Sequence, residues 1–205
     1  MWTLANQITF LRILLTPVFV VLMLSGQNAL VQWALIVYVI AAVTDFYDGY
    51  VARRMGGESR FGKFLDPLAD KFLTVAAFVC FIYLDLIPLW MVVIVVSRDI
   101  IVTFLRMYAE WKDKPIVTMK SAKWKTFFQL VFIFYTLALL AAAHTVWIRR
   151  DFGDFINMLL NPVVMQIAML GLTLLTVITG VIYLIENRFI FRPIATERSS
   201  NPIKP

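Results

Sequence analysis

The sequence predicts an all-α integral membrane protein with six transmembrane helices, organised as a single domain over residues 1–205. Of the 205 residues, 61% are hydrophobic, whereas soluble domains are usually about half apolar. The apolar residues collect in long runs, and about 20 such residues are enough to span the bilayer core. Lys and Arg are concentrated in every second segment between the runs, as expected for a chain that crosses a membrane repeatedly.

Six apolar runs define the predicted spans, in chain order. They cover approximately residues 9–24, 29–50, 67–84, 89–108, 127–143 and 163–185. Between the last two runs, residues 146–160 mix aromatic side chains with charges, which predicts a short helix at the membrane surface. The polar tail over residues 192–205 contains three prolines, and we expect it to be poorly ordered.

The basic residues predict the orientation of these spans. Segments after the second, fourth and sixth runs are rich in Lys and Arg, whereas those after the first and third have none. The segment after the fifth run has only Arg149 and Arg150. Because Lys and Arg collect on the cytoplasmic side, we expect an inner (cytoplasmic) membrane protein with both termini in the cytoplasm. The net charge of +6 then reflects topology, and no nucleic-acid partner is expected without a basic soluble surface.

Four aspartates provide the main chemical signal. Asp45 and Asp48 lie three apart at the end of the second run, and Asp66 and Asp70 lie four apart at the start of the third. Such spacings place each pair on one helix face, and the short basic loop between the helices allows the two faces to meet. Converging carboxylates repel one another and are costly to desolvate. Hard divalent cations prefer carboxylate oxygens, which predicts a two-metal site for Mg or Mn; solvated acids paired with basic neighbours are the alternative.

Small residues accompany these acids. Gly49 and Ala52 follow shortly after the second aspartate, and Gly62 precedes the third by four positions. Their size leaves room for a bulky group beside the metals, although small residues also serve close helix packing. Arg53 can hold a phosphate bidentately or anchor the helix end at the membrane surface.

The combined pattern resembles the signature of the CDP-alcohol phosphotransferase family. It reads Asp45-x2-Asp48-Gly49-x2-Ala52-Arg53-x8-Gly62-x3-Asp66-x3-Asp70. All eight signature positions match at the family's spacing, and the six-span plan extends the resemblance to nearly the whole chain. The resemblance implies the helical bundle of that family, a CDP-diacylglycerol donor, CMP as product, an active site that faces the cytoplasm, and a homodimer.

The resemblance also implies a role for each signature residue. Asp45, Asp48 and Asp66 would be metal ligands, and Asp70 would contact metal and act as the catalytic general base on the acceptor hydroxyl. The small residues Gly49, Ala52 and Gly62 would line the cytidine pocket. Arg53 would contact the diphosphate.

The acceptor alcohol depends on residues outside the signature. Arg106, with one or two of Lys120, Lys123 and Lys125, is expected at the level of the carboxylates, where these cations can form a pocket for a phosphate monoester. Anchoring at the cytoplasmic side is the alternative for each. Arg98 and Asp99 lie deeper in the fourth run, where a charge is expensive unless paired. We expect them to pair structurally, with the partner of Asp99 on another helix.

Two further segments resemble the branch of the family that uses glycerol 3-phosphate. They are Ser97-Arg98-Asp99…Arg106 followed by Lys123-x-Lys125-Thr126, and Asn6, Thr9 and Arg12 in an Asn-x2-Thr-x2-Arg pattern. Ala122 and Asp99 depart from that branch, in which glycine and glutamate are more usual. The resemblance therefore implies glycerol 3-phosphate as the acceptor.

Three alternatives stay open at this stage. The same family includes enzymes for other acceptors, such as inositol phosphate or serine. An ion-coupled transporter also uses intramembrane acids, although these acids lie at one end of the bundle and not along a path. A structural membrane scaffold gives no reason for four acids at these spacings.

Overall fold

The structure is a computed structural model that describes the backbone of residues 4–55, 60–111 and 120–187, and the side chains of residues 10–44, 71–109 and 123–187. Within these ranges the chain forms seven α-helices and no strand. They are α1 (Leu4–Leu24), α2 (Asn28–Met55), α3 (Arg60–Tyr83), α4 (Leu89–Trp111), α5 (Lys120–Ala143), α6 (Val146–Leu159) and α7 (Pro162–Glu186). The expectation of an all-helical protein is confirmed, and α6 is the short helix predicted over residues 146–160.

Several helices are longer than the apolar runs that predicted them. α2 continues to Met55, past the predicted end at residue 50, and α3 begins at Arg60 and not at residue 67. Hydropathy marks only the part of a helix that suits hydrocarbon, whereas the backbone hydrogen bonds continue into turns with charged side chains at the membrane surface. All eight signature positions consequently lie on two helices, α2 and α3.

Short turns connect most neighbouring helices. Gly26 adopts a φ of 68° between α1 and α2, a left-handed conformation that costs glycine little because it has no Cβ. Asn161 caps α7 by accepting a hydrogen bond from the Val163 amide at 2.9 Å, and Pro162 occupies the first turn, where its missing N–H is not needed. Connections this short favour antiparallel packing of successive helices.

The buried core draws residues from α1 to α5 and α7, and it is rich in aromatic rings between α1, α2, α3 and α5. Phe19 contacts Tyr38 with ring centroids 5.3 Å apart, and Tyr38 meets Phe134 edge-on at 5.5 Å. Phe78 and Phe132 continue the cluster at 6.5 Å. α1 packs against α2 and α3, α5 against α2 and α7, and α4 mainly against α7. Aromatic pairs at these separations add to the stabilisation from burial.

Apolar side chains also cover much of the outer surface. Within the described residues, Lys123–Ala143 and Pro162–Glu186 are long and apolar enough to cross a membrane, and three shorter apolar segments lie in α1, α2 and α3. α4 falls short of that composition because it includes Arg98, Asp99 and Arg106. These findings agree with a membrane protein, and the number of six spans stays a prediction.

α4 and α7 approach closely where Arg98 crosses Gly180. The Arg98 Cγ atom lies 3.0 Å from the position that a Cβ atom on Gly180 would occupy. Any larger residue at 180 therefore displaces the arginine side chain. Gly171, nine residues earlier on the same helix, has no atom within 4 Å of its Cβ position.

Gly180→Leu is expected to destabilise the protein by about 1–3 kcal/mol, since overpacking forces side chains off their rotamers. Gly171→Leu is the matched control, and its gain in helix propensity of about 1 kcal/mol meets no clash. The unfolding temperature of the purified protein in detergent should fall for Gly180→Leu and stay level or rise for Gly171→Leu. Equal shifts for both variants would contradict the close packing of Arg98 on Gly180.

Candidate functional site

The signature residues lie at the facing ends of α2 and α3. Their backbone is helical, and the two helices contact each other. The side chains of the signature lie outside the described residues. They are those of the predicted metal ligands Asp45, Asp48, Asp66 and Asp70, and of the predicted donor-site residues Gly49, Ala52, Arg53 and Gly62. Among the side chains that are described, no group of three His, Cys, Asp or Glu could hold a metal ion.

A buried charge cluster lies beside the middle of α3. We define it as Lys71, Arg98, Asp99, Lys125 and Gln129. The Lys125 ammonium donates to both carboxylate oxygens of Asp99 at 2.6 Å and also to the Gln129 side-chain oxygen. The side chains of Lys125 and Asp99 are only 1% and 6% exposed. Charged hydrogen bonds of this kind are the strong ones, and they join α4 to α5.

The other two cations extend the cluster to α7 and α3. Arg98 donates from Nη1 to Asp99 Oδ1 at 3.3 Å and from Nη2 to the Thr179 hydroxyl at 3.5 Å. Lys71 approaches the second carboxylate oxygen of Asp99, with its Nζ atom 3.9 Å away. Lys71 directly follows Asp70 of the signature. Three helices therefore meet at one carboxylate, and Arg98 links it to a fourth, α7.

The cluster matches the expectation for the fourth run and adds to it. The structural pairing of Arg98 and Asp99 is confirmed, as is a partner of Asp99 on another helix, Lys125. Arg98 reaches its sequence neighbour although successive helix positions face different ways, because the guanidinium is long enough to turn back. Sequence reasoning missed Gln129, whose only signal is its place four residues after Lys125.

Several cations gather around one carboxylate in this region. Among the described side chains, Lys71, Arg98 and Lys125 all approach Asp99. Burying such groups is costly unless every charge is compensated. The cluster adjoins the helix that includes Asp66 and Asp70, whose side chains lie outside the described residues.

The predicted acceptor residues occupy different positions around this cluster. Arg106 is exposed and lies two turns beyond Asp99, so it shares that face of α4 at a distance of about 10 Å along the axis. Lys123 is exposed and lies about 200° around α5 from Lys125. Of the two lysines, only Lys125 thus lies on the face that meets Asp99.

The two exposed residues differ from Lys125 in their contacts with the described side chains. Arg106 and Lys123 make no ion pair with the described side chains, whereas Lys125 is bound to Asp99. The other residues of the acceptor prediction are described in part. Arg12 is buried in α1, and Asn6, Thr9 and Lys120 lie on helices α1 and α5 with side chains outside the described residues.

Comparison with known proteins gives a consistent result. The family model for CDP-alcohol phosphatidyltransferases matches residues 2–192. A CDP-diacylglycerol–glycerol-3-phosphate 3-phosphatidyltransferase from Bacillus subtilis is 38% identical over 143 residues, which is 64% of this chain and 74% of the relative. The enzyme of the same name from Cereibacter sphaeroides is 38% identical over 136 residues, covering 64% of this chain and 62% of that protein. A probable phosphatidylglycerophosphate synthase from Mycobacterium tuberculosis is 34% identical over 187 residues, covering 88% and 79%.

Asp99→Asn is expected to lower the free energy of unfolding by about 3–5 kcal/mol, because it leaves the buried Lys125 without its counter-charge. Asp154→Asn, an exposed change on α6, should alter stability by less than about 0.5 kcal/mol. Both can be measured by chemical or thermal unfolding of the purified protein.

The double variant Asp99→Leu with Lys125→Met tests the same interaction in reverse. It removes Asp99 and Lys125 together but leaves Arg98 without that carboxylate, so it should recover part of the stability that Asp99→Asn loses. A double variant as unstable as the single one would show that the ion pair is not the source of the effect.

Proposed function

The chain belongs to the CDP-alcohol phosphatidyltransferase family, and from that premise we propose that it is a phosphatidylglycerophosphate synthase. It transfers a phosphatidyl group from CDP-diacylglycerol to glycerol 3-phosphate and releases CMP. The names of the relatives support this donor and acceptor. Within the structure, the observation that supports a phosphate-bearing acceptor is the exposed position of Arg106 on the face of α4 that also includes Asp99.

The four aspartates of the signature suit two divalent cations, either Mg or Mn. Carboxylate oxygens are the ligands that these ions prefer, and α2 and α3 supply one pair each. When bound, the cations would neutralise the donor diphosphate and stabilise departing CMP. Arg53 would contact the diphosphate, and the small residues Gly49, Ala52 and Gly62 would leave room for cytidine.

The reaction itself is a displacement at phosphorus. The primary hydroxyl oxygen of glycerol 3-phosphate attacks the phosphorus that is attached to diacylglycerol, and the bond from that phosphorus to the CMP oxygen breaks. The hydroxyl proton passes to the carboxylate of Asp70, and CMP departs with the bonding electron pair. A base in this role must lie within hydrogen-bond distance of the hydroxyl, and Asp70 lies one helical turn beyond Asp66.

Arg106 is the best candidate for binding the acceptor phosphate. It lies on the Asp99 face of α4, and it makes no ion pair with the described side chains. Its guanidinium can bind a phosphate bidentately. Lys123 and Lys120 at the start of α5 can add further positive charge. Serine lacks a phosphate, so these cations favour glycerol 3-phosphate or, as the runner-up, inositol phosphate.

The proposed membrane arrangement uses α1 to α5 and α7 as six spans. Both termini and the signature then face the cytoplasm, which agrees with the distribution of Lys and Arg. Trp124, which is 59% exposed and stacks on Phe128, lies beside the lysines of α5. Tryptophan is enriched at membrane–water interfaces, which supports placing the start of α5 at that level. The homodimer stays a prediction.

The proposed activity can be tested by measuring CMP release. Purified protein would be incubated with CDP-diacylglycerol, magnesium and one acceptor at a time. We expect release with glycerol 3-phosphate, and its abolition by EDTA and by Asp70→Asn. CMP release with inositol phosphate instead would agree with the family and refute glycerol 3-phosphate as the acceptor. If folded protein released no CMP with any of the acceptors, the proposed reaction would be refuted.

Arg106→Ala tests the acceptor site separately. Loss of a charged hydrogen bond to the phosphate should raise the KM for glycerol 3-phosphate by about 10- to 100-fold, with little change in the KM for CDP-diacylglycerol. Arg106→Lys should show a smaller rise because it keeps the charge and loses the bidentate geometry. Asp154→Asn at the far end of the bundle is the control. Equal increases in both KM values for Arg106→Ala would exclude a selective role in acceptor binding.

A further inference from the structure

A cavity with polar side chains in its lining lies at the end of the bundle opposite to the signature. Its volume is about 400 Å³, and it is lined by Asn28, Ala143, His144, Val146, Arg149 and Arg150. The start of α2, the end of α5 and the start of α6 form its walls. Along α2, the distance from Asn28 to Asp45 corresponds to about 25 Å of helix. The cavity is therefore separate from the proposed active site by most of a membrane thickness.

Its two arginines have no counter-charge within the described side chains. No described carboxylate lies within 4 Å of Arg149 or Arg150, although α6 also includes Asp151 and Asp154. The predicted topology places these arginines on the side that Lys and Arg normally avoid, and no other basic residue occurs in the segments on that side. Two unpaired guanidinium groups at the mouth of one cavity therefore favour an anionic ligand.

α6 has the properties of a helix that lies at a membrane surface. Ile156 is buried against the bundle, while Trp147, Phe152 and Phe155 are 85%, 61% and 57% exposed. Large apolar side chains beside charged ones are typical of helices at the boundary between head groups and acyl chains. This position would bring the neighbouring arginines to the level of the lipid phosphates.

Hydrogen bonds hold the cavity walls in place. Gln32 of α2 donates from Nε2 to the His144 carbonyl at 3.3 Å and to the Thr145 hydroxyl at 3.0 Å. The Thr145 hydroxyl in turn donates to the Ala141 carbonyl at 2.8 Å. The turn between α5 and α6 is thereby tied to α2, so the cavity does not depend on a mobile loop. Preformed sites bind with a smaller loss of entropy.

We propose that this cavity binds the phosphate of an anionic phospholipid head group, in the leaflet opposite to the one where the signature lies. Arg149 and Arg150 are the donors, and the acyl chains lie along the exposed apolar side chains of α6. A free phosphate ion would use the arginines alone, whereas the adjacent Trp147, Phe152 and Phe155 favour a ligand with an apolar part. This site is independent of the proposed transferase reaction.

The test uses the full-length protein after delipidation in detergent. Binding of a short-chain phosphatidylglycerol, a short-chain phosphatidylcholine and inorganic phosphate would be measured by native mass spectrometry. We expect phosphatidylglycerol to bind most tightly and Arg149→Gln with Arg150→Gln to weaken it about 10- to 30-fold, since each basic residue near a lipid surface adds a similar electrostatic contribution. Arg149→Lys with Arg150→Lys should retain most of the affinity.

Matched controls separate this site from folding and from catalysis. Asn157→Ala, an exposed change on the same helix outside the cavity lining, should bind the lipid as the unchanged protein does. Circular dichroism would verify that all variants keep their helical content. Unchanged affinity in the double Gln variant, equal affinity for phosphatidylcholine, or equally tight binding of inorganic phosphate would each overturn the proposal.

Discussion

The carboxylate of Asp99 is the point on which the packing of the helices depends. Water does not solvate charges in a bilayer interior, so each buried cation must find its partner within the protein. Lys125, Arg98 and Lys71 all approach this carboxylate, and Gln129 and Thr179 satisfy further donors. Apolar packing between helices tolerates small rotations and shifts, whereas hydrogen bonds of 2.6 Å to both oxygens of Asp99 do not. The polar contacts therefore determine how α3, α4, α5 and α7 are oriented relative to one another.

This constraint has a direct bearing on the proposed chemistry. Asp66 and Asp70 lie on α3, as does Lys71, and the predicted acceptor residues lie on α4 and α5. A transfer reaction needs its donor and acceptor groups within fractions of an ångström of their reacting positions. Because the cluster joins α3, α4 and α5, it would hold the helices of the proposed site in position before substrate binds.

The sequence predicted the helices well and their ends less well. Apolar runs identified six helices and the mixed segment identified α6, but hydropathy could not show that α3 begins at Arg60 or α5 at Lys120. The signature's spacing required helices over residues 45–53 and 62–70, which α2 and α3 provide. Side-chain partners were predictable only where a lone charge demanded one, as for Asp99. Nothing in the spacing of Lys123 and Lys125 indicates which of them faces α4, because that depends on how α5 rotates against its neighbours.

The partners of Asp99 also have a bearing on the order in which the chain is made. α4 is synthesised with Arg98 and Asp99 in place, whereas Lys125 follows 26 residues later and Thr179 only on the last helix. Each such charge opposes membrane insertion of an isolated helix by about 2.5–3.5 kcal/mol. On its own, α4 is thus poorly suited to pass from the translocation machinery into the bilayer. α5 lowers the free-energy cost of insertion by supplying the ammonium group that pairs with Asp99. Insertion of these two helices as a pair follows from a contact that is visible only in the finished fold.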